Sequence, residues 1–219
     1  MSLHLQRDLD QLKRDVLHLG SLVETALGNA SYVLRDQRTE LAEAVYADEI
    51  TINEKEVQIE ENCLKILALH QPVAIDLRFI VVVLKVNNDL ERIGDLAKNL
   101  TARAVYLAER ETMPEPMATI NAMFVTIRSM LKDSLDALVK LDVDLARTVI
   151  DQDDGVDEIN RQMYDDFREM MSKDASMIEQ ATSWLSCSRY LERIADLATN
   201  ISEDVVFMVE GEVVRHQTH

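Results

Sequence analysis

Two stretches, LERIGDLAKNL at residues 90–100 and LERIADLATNI at residues 191–201, agree at eight of eleven positions and lie 101 residues apart. Both repeat a carboxylate, a second carboxylate and an amide at steps of four: Glu91, Asp95 and Asn99, then Glu192, Asp196 and Asn200. At about 100° per residue this spacing keeps three side chains on one strip of a helix. With Leu90 as origin, Ile93, Ala97, Leu100 and Ala104 share one narrow apolar face. The acids and the amide fall on another, so they are expected to turn away from the core of their own bundle. The second copy repeats the geometry, with Leu191, Ile194, Ala198, Ile201 and Val205 inward. Gly94 and Ala195 keep the border between the two faces small.

Helical periodicity runs through the rest of the chain. Leu5, Leu9, Leu12, Val16, Leu19, Val23, Ala26, Ala30 and Val33 recur at alternating steps of four and three, one stripe on a long first helix that ends at DQRT, 36–39. Leu41, Val45, Ile52, Ile59, Cys63 and Ile66 form the inner face of a second helix, stopped near Pro72. The third is expected from about Val73 to Arg110, and TMPEPM, with Pro114 and Pro116, reads as the linker. Ile120, Phe124, Ile127, Leu131, Leu135 and Leu138 define a fourth helix. KLDVD turns into a fifth that ends near Met171, and the sixth runs from about SKDAS, 172–176, to Gly211. EITINE at 49–54 and DDGVDE at 153–158 form a weaker echo at an offset of 104. The expected fold is therefore all-α: two tandem three-helix bundles related by internal duplication, covering 1–112 and 113–219.

Composition agrees with this. Of 219 residues, 47% are hydrophobic and only five are Gly and three Pro, which favours long helices over many short strands. Forty acids against 23 bases give a net charge of −17, which repels nucleic acid and anionic lipid and attracts cations or basic protein surfaces. The first 110 residues carry 18 acids and 13 bases (net −5) and the remainder 22 and 10 (net −12). No apolar run is long enough to span a bilayer, and MSLHLQRDLDQLKRD lacks the order of a secretory signal, so a cytoplasmic location is expected. Cys63 and Cys187 fit buried reduced thiols. The methionines, concentrated from position 113 onward, read as gap-filling core.

Carboxylate and amide oxygens suit hard or borderline cations such as Mg²⁺, Mn²⁺, iron or Zn²⁺. The alternative is a solvated polar face ion-paired through Arg92 and Arg193, or a strip that binds a basic partner surface without metal. A dimetal carboxylate oxidase would require Glu-x-x-His pairs, and no Glu stands three residues before any of the five histidines. Neither a GxxxxGK[ST] nor a GxSxG motif is present, so catalysis finds no support.

At LERIGDLAKN and LERIADLATN the chain resembles the PhoU family of phosphate-transport regulators, over nearly its whole length. The resemblance implies one E(D)xxxD motif per bundle, on the third and sixth helices, binding metal through Glu91, Asp95, Glu192 and Asp196, with Asn99 and Asn200 in the same sites. Glu49, Asn53, Asp153 and Asp157 of the echoing helices would complete a cluster. It further implies a non-catalytic, commonly dimeric cytoplasmic protein. Such a protein acts at the ATPase of a Pst-type phosphate transporter and at a PhoR-type sensor histidine kinase, restraining the phosphate-starvation response when phosphate is plentiful. Because Lys98 in the first copy is Thr199 in the second, Lys98 is expected to neutralise Glu91 and leave the second bundle the stronger metal binder.

Overall fold

The computed structural model describes residues 3–111 and 113–211. Six long helices account for nearly all of them: α1 (Leu3–Asp36), α2 (Ala42–His70), α3 (Ala74–Ala108), α4 (Pro114–Lys140), α5 (Val143–Lys173) and α6 (Ile178–Glu210). Short 3₁₀ turns lead into α2 and α6, and no strand occurs among the described residues.

The ends follow local chemistry. Gln71 closes α2 in a left-handed conformation, its N–H donating to Leu67 O, and Pro72 then prevents continuation. Asp142 caps α5, its carboxylate accepting from Leu145 N at 3.0 Å. The expected break at TMPEPM lies elsewhere: α3 stops at Ala108 and α4 starts on Pro114 itself. A proline in the first turn costs no hydrogen bond, because the N–H it lacks would have no partner there. The connection is thus 109–113, and the expected boundary between residues 112 and 113 falls on Thr112, outside the described residues.

Helices α1, α2 and α3 form one bundle and α4, α5 and α6 the other. Among the described helices, α2 packs only on α1 and α3, and α5 only on α4 and α6; the halves meet through α3 on α6 and α1 on α4. Burial reflects this division. The outer helices bury narrow stripes, Ala42, Val45, Ile52, Ile59, Cys63 and Ile66 on α2, and Ala146, Val149, Val156, Met163 and Phe167 on α5. The inner helices are buried on more than one side: α1 buries the whole expected stripe and also Gly20, Leu27, Ser31 and Leu34. The single stripe read from α1 was too narrow because α1 also packs against the second half. One continuous apolar core results, with Met123, Met130, Met163 and Met208 among its members. Cys63 and Cys187 are buried and unbridged, and burial pushes each thiol up to about 12. Across the halves, Lys85 Nζ on α3 reaches the buried Asp204 carboxylate on α6 at 2.8 Å.

Gly94 marks a close approach of α3 to α2: a Cβ there would lie 3.0 Å from Ile52 Cδ1 and 3.2 Å from Ile52 Cγ2. The duplicated positions are Ala195 and Val156, both buried. The second half gains a methyl on one helix and loses a methylene on the other, which conserves volume. Gly94→Ala is expected to destabilise the protein by about 1–3 kcal/mol through overpacking, and Ile52→Val in the same chain is expected to recover most of the loss. Urea denaturation of the single and double variants checks this; a neutral Gly94→Ala would contradict it.

Candidate metal centre

The repeated strips face the outer helices. Glu91 and Asp95 lie half-buried beside Glu49 and Lys98 at the α2 side of α3, and Glu192, half-buried, and Asp196, exposed, lie beside Asp157 of α5; Asn99 and Asn200 are half-buried further along their own helices. They do leave the central seam, but the helical wheel of a single helix could not show that α2 and α5 lie alongside. Desolvation is the first consequence. It raises the carboxyls of Glu91, Glu192 and Asp196 above their ordinary range, and neighbouring carboxylates raise them further. Arg92 and Arg193 are exposed and make no ion pair within 4.0 Å among the described residues; their longer-range field opposes these shifts only in part.

In the second half, one carboxylate oxygen from each of Asp157, Glu192 and Asp196 lies within 4.8 Å of the other two. Asp153, one turn before Asp157 on α5, lies within the field of Asp196 and Asp157. Burial first, then the charges of Asp196 and Asp157, push its carboxyl up to about 7, against a small opposing pull from the nearby Thr199 hydroxyl. That hydroxyl does not reach full hydrogen-bond geometry, so Asp153 Oδ1 and Thr199 Oγ1 are both buried without a partner. Three acids converging at the junction of two helices, with a fourth one turn away whose oxygen is orphaned, fit a hard or borderline cation. Of these, Asp153 and Asp157 carried the weaker sequence signal, the echo at an offset of 104.

The first half has the same plan with different charges. Asn53 stands where Asp157 does, and its amide donates to Glu49 Oε1 at 3.0 Å. Lys98 Nζ bonds Glu49 Oε1 at 3.0 Å and lies 3.9 Å from Asp95 Oδ1. The expected neutralisation of Glu91 by Lys98 is therefore corrected: the ammonium reaches the carboxylates on either side of it, because Glu49 comes in from α2. Asn99 Nδ2 donates to Asp95 Oδ2 at 3.1 Å. The first groove thus holds a cation of its own, and among the described residues only the second brings three carboxylates to metal-ligand spacing.

The duplication extends beyond the acids. Asn87 Nδ2 donates to Glu56 O at 3.0 Å between α3 and α2, and Ser188 Oγ donates to Asn160 Oδ1 at 2.6 Å between α6 and α5. Asn87 and Ser188 are related by the offset of 101, Glu56 and Asn160 by that of 104. These pairs pin the register of each outer helix against its carboxylate strip.

A duplicated six-helix bundle with one carboxylate strip per half defines a class of all-helical proteins. A family model described as the PhoU domain matches twice, over residues 16–104 and 120–205, and the chain belongs to that family. It is 38% identical over 213 residues to a "Phosphate-specific transport system accessory protein PhoU homolog" of Aquifex aeolicus, covering 97% of this chain and 96% of that protein. The crystal structure of PhoU from Pseudomonas aeruginosa superposes with a TM-score of 0.92 at 34% identity, covering 94% of this chain and 99% of that one. The phosphate transport system regulatory protein PhoU from Streptococcus pneumoniae gives 0.88 at 27%, covering 96% and 99%.

Two outcomes are expected. Asp153 takes up its proton near pH 7 in the folded protein but near 3.8 when unfolded, so within that window the folded state binds more protons. Stability of metal-free protein should therefore fall as pH rises through this range, and Asp153→Asn should flatten the fall. Urea midpoints measured in chelator check it, and an unchanged slope would contradict it. In calorimetric titration with Mn²⁺, Asn53→Asp with Lys98→Thr should add a second tight binding event, because it gives the first groove the charges of the second.

Proposed function

We propose that the protein is a metal-binding, non-catalytic regulator of phosphate uptake; its curated relatives are named as accessory proteins of the phosphate-specific transport system. The observation that carries the metal reading is the convergence of Asp157, Glu192 and Asp196 beside the half-buried Asp153. A divalent or trivalent cation, Mg²⁺, Mn²⁺, iron or Zn²⁺, neutralises these groups and fixes α5 against α6. The metal set is Glu91, Asp95 and Asn99 in the first half and Glu192, Asp196 and Asn200 in the second, where Asp157 from α5 joins it, with the second half the stronger site. In the first, Lys98 already occupies part of the cation's role.

In this reading the halves 1–112 and 113–219 are the two domains of a cytoplasmic scaffold that works as a homodimer. It contacts the ATPase subunit of a Pst-type phosphate transporter and a PhoR-type sensor histidine kinase, and restrains the starvation response when phosphate is plentiful. Family membership supports this, and so does the acidic surface, which suits basic partner faces. No described helix is long and apolar enough to cross a membrane, so a place at the membrane comes through such partners.

The test is capture from phosphate-replete cells, comparing the wild type with the alanine variant at Glu91, Asp95, Glu192 and Asp196. The wild type is expected to carry metal and both partners, and the variant to lose the metal and at least tenfold of partner recovery. Absence of both partners from the wild-type capture would overturn the scaffold reading. Full recovery by a metal-free variant would separate regulation from metal.

A further inference from the structure

The acid cluster of the second half opens onto a groove of about 480 Å³ between α5 and α6, lined by Asp157, Asn160, Arg161, Tyr164, Arg189 and Glu192 among others. The first half serves as an internal control for what this groove is built to do. At the duplicated positions Arg161 is replaced by Val57, Tyr164 by Glu60 and Arg189 by Asn88. The acids of the strip are thus common to both halves, whereas the two guanidinium groups occur only beside the second. Arg189 is exposed and makes no ion pair within 4.0 Å among the described residues. Arg161 pairs with Glu158 one turn away, both 68% exposed, a contact of the kind that exchanges readily for a better partner.

Resting on the metal reading above, we propose that this groove binds a phosphoryl group, held by Arg189 and Arg161 together with the cation of the adjoining carboxylate cluster. A hard cation takes six or more oxygen ligands, and three carboxylates leave positions for others. Guanidinium groups match the paired oxygens of a phosphoryl group. Without the cation, Asp157, Asp165 and Glu192 along the groove repel an anion; a divalent ion with both Arg189 and Arg161 is needed to balance the charges of Asp157, Asp165, Glu192 and Asp196. Binding is therefore metal-dependent. The groove is larger than one tetrahedral oxyanion, and Tyr164, 58% exposed, offers an aromatic face to the body of an ester. Inorganic phosphate and a small phosphomonoester share the recognised chemistry.

The test is ³¹P NMR of inorganic phosphate and, separately, of AMP, added to the full chain carrying Mn²⁺ below the site concentration, with manganese uptake measured independently by equilibrium dialysis. The expected result is paramagnetic broadening of the phosphorus signal that weakens at least fivefold in Arg161→Ala/Arg189→Ala, while manganese uptake stays unchanged. Both substitutions are at exposed positions and spare the core. Stronger broadening with AMP assigns an ester, and equal or weaker broadening assigns free phosphate. Manganese uptake with no broadening of either probe, or with the same broadening in the variant, overturns the proposal and leaves the metal reading intact. Failure to take up manganese overturns both.

Discussion

Carboxylates that two helices bring together at a partly desolvated junction repel one another, and this repulsion is the constraint around which the protein is arranged. Each half carries the problem once, where an outer helix lies along the strip of an inner one. The first half meets it with Lys98, whose ammonium bonds Glu49 and approaches Asp95. In the second, Thr199 replaces the lysine and Asp157 replaces the amide of Asn53, so negative charge accumulates with no internal cation, and burial raises the Asp153 carboxyl to about 7. A fold that tolerates this has a continuous apolar core to spare. Burial of well-packed side chains outweighs the cost of a few crowded acids.

Much of this was legible in the sequence, because long amphipathic helices and a near-exact repeat are its strongest signals. The α1 stripe from Leu5 to Val33 is buried throughout, and so is the expected inner face of α2, except that the half-buried Leu41 lies in the 3₁₀ turn before the helix. Pro72 marks the stop expected of it, but Pro114, which reads as a break, begins α4, since the first turn has amide groups to spare. The second buried face of α1 was also hidden, because periodicity within one helix reports how much of it is covered only when its neighbours are known.

The candidate site divides in the same way. That Glu91, Asp95, Glu192 and Asp196 leave their bundle's seam follows from angle alone. That Glu91, Asp95 and Glu192 lie half-sheltered against α2 and α5 while Asp196 stays exposed, that Lys98 reaches Glu49 rather than Glu91, and that Asp157 completes the second cluster depend on how the outer helix is set in register. The echo between Glu49 and Asp153 was present, but a few matching letters carry little weight beside the eight shared by the LERI stretches. The polar pairs Asn87 with Glu56 and Ser188 with Asn160, which fix that register, share no letters at all and emerge only in three dimensions.

The central claim is that the second half's crowded acids are a cation site and the first half's are not its equal. Anomalous diffraction at the manganese edge, from crystals equilibrated with limiting Mn²⁺, tests it most directly. The account expects the principal peak among Asp157, Glu192 and Asp196, within coordination distance of their carboxylate oxygens. Peaks of equal height in both grooves, or none between α5 and α6, would contradict it.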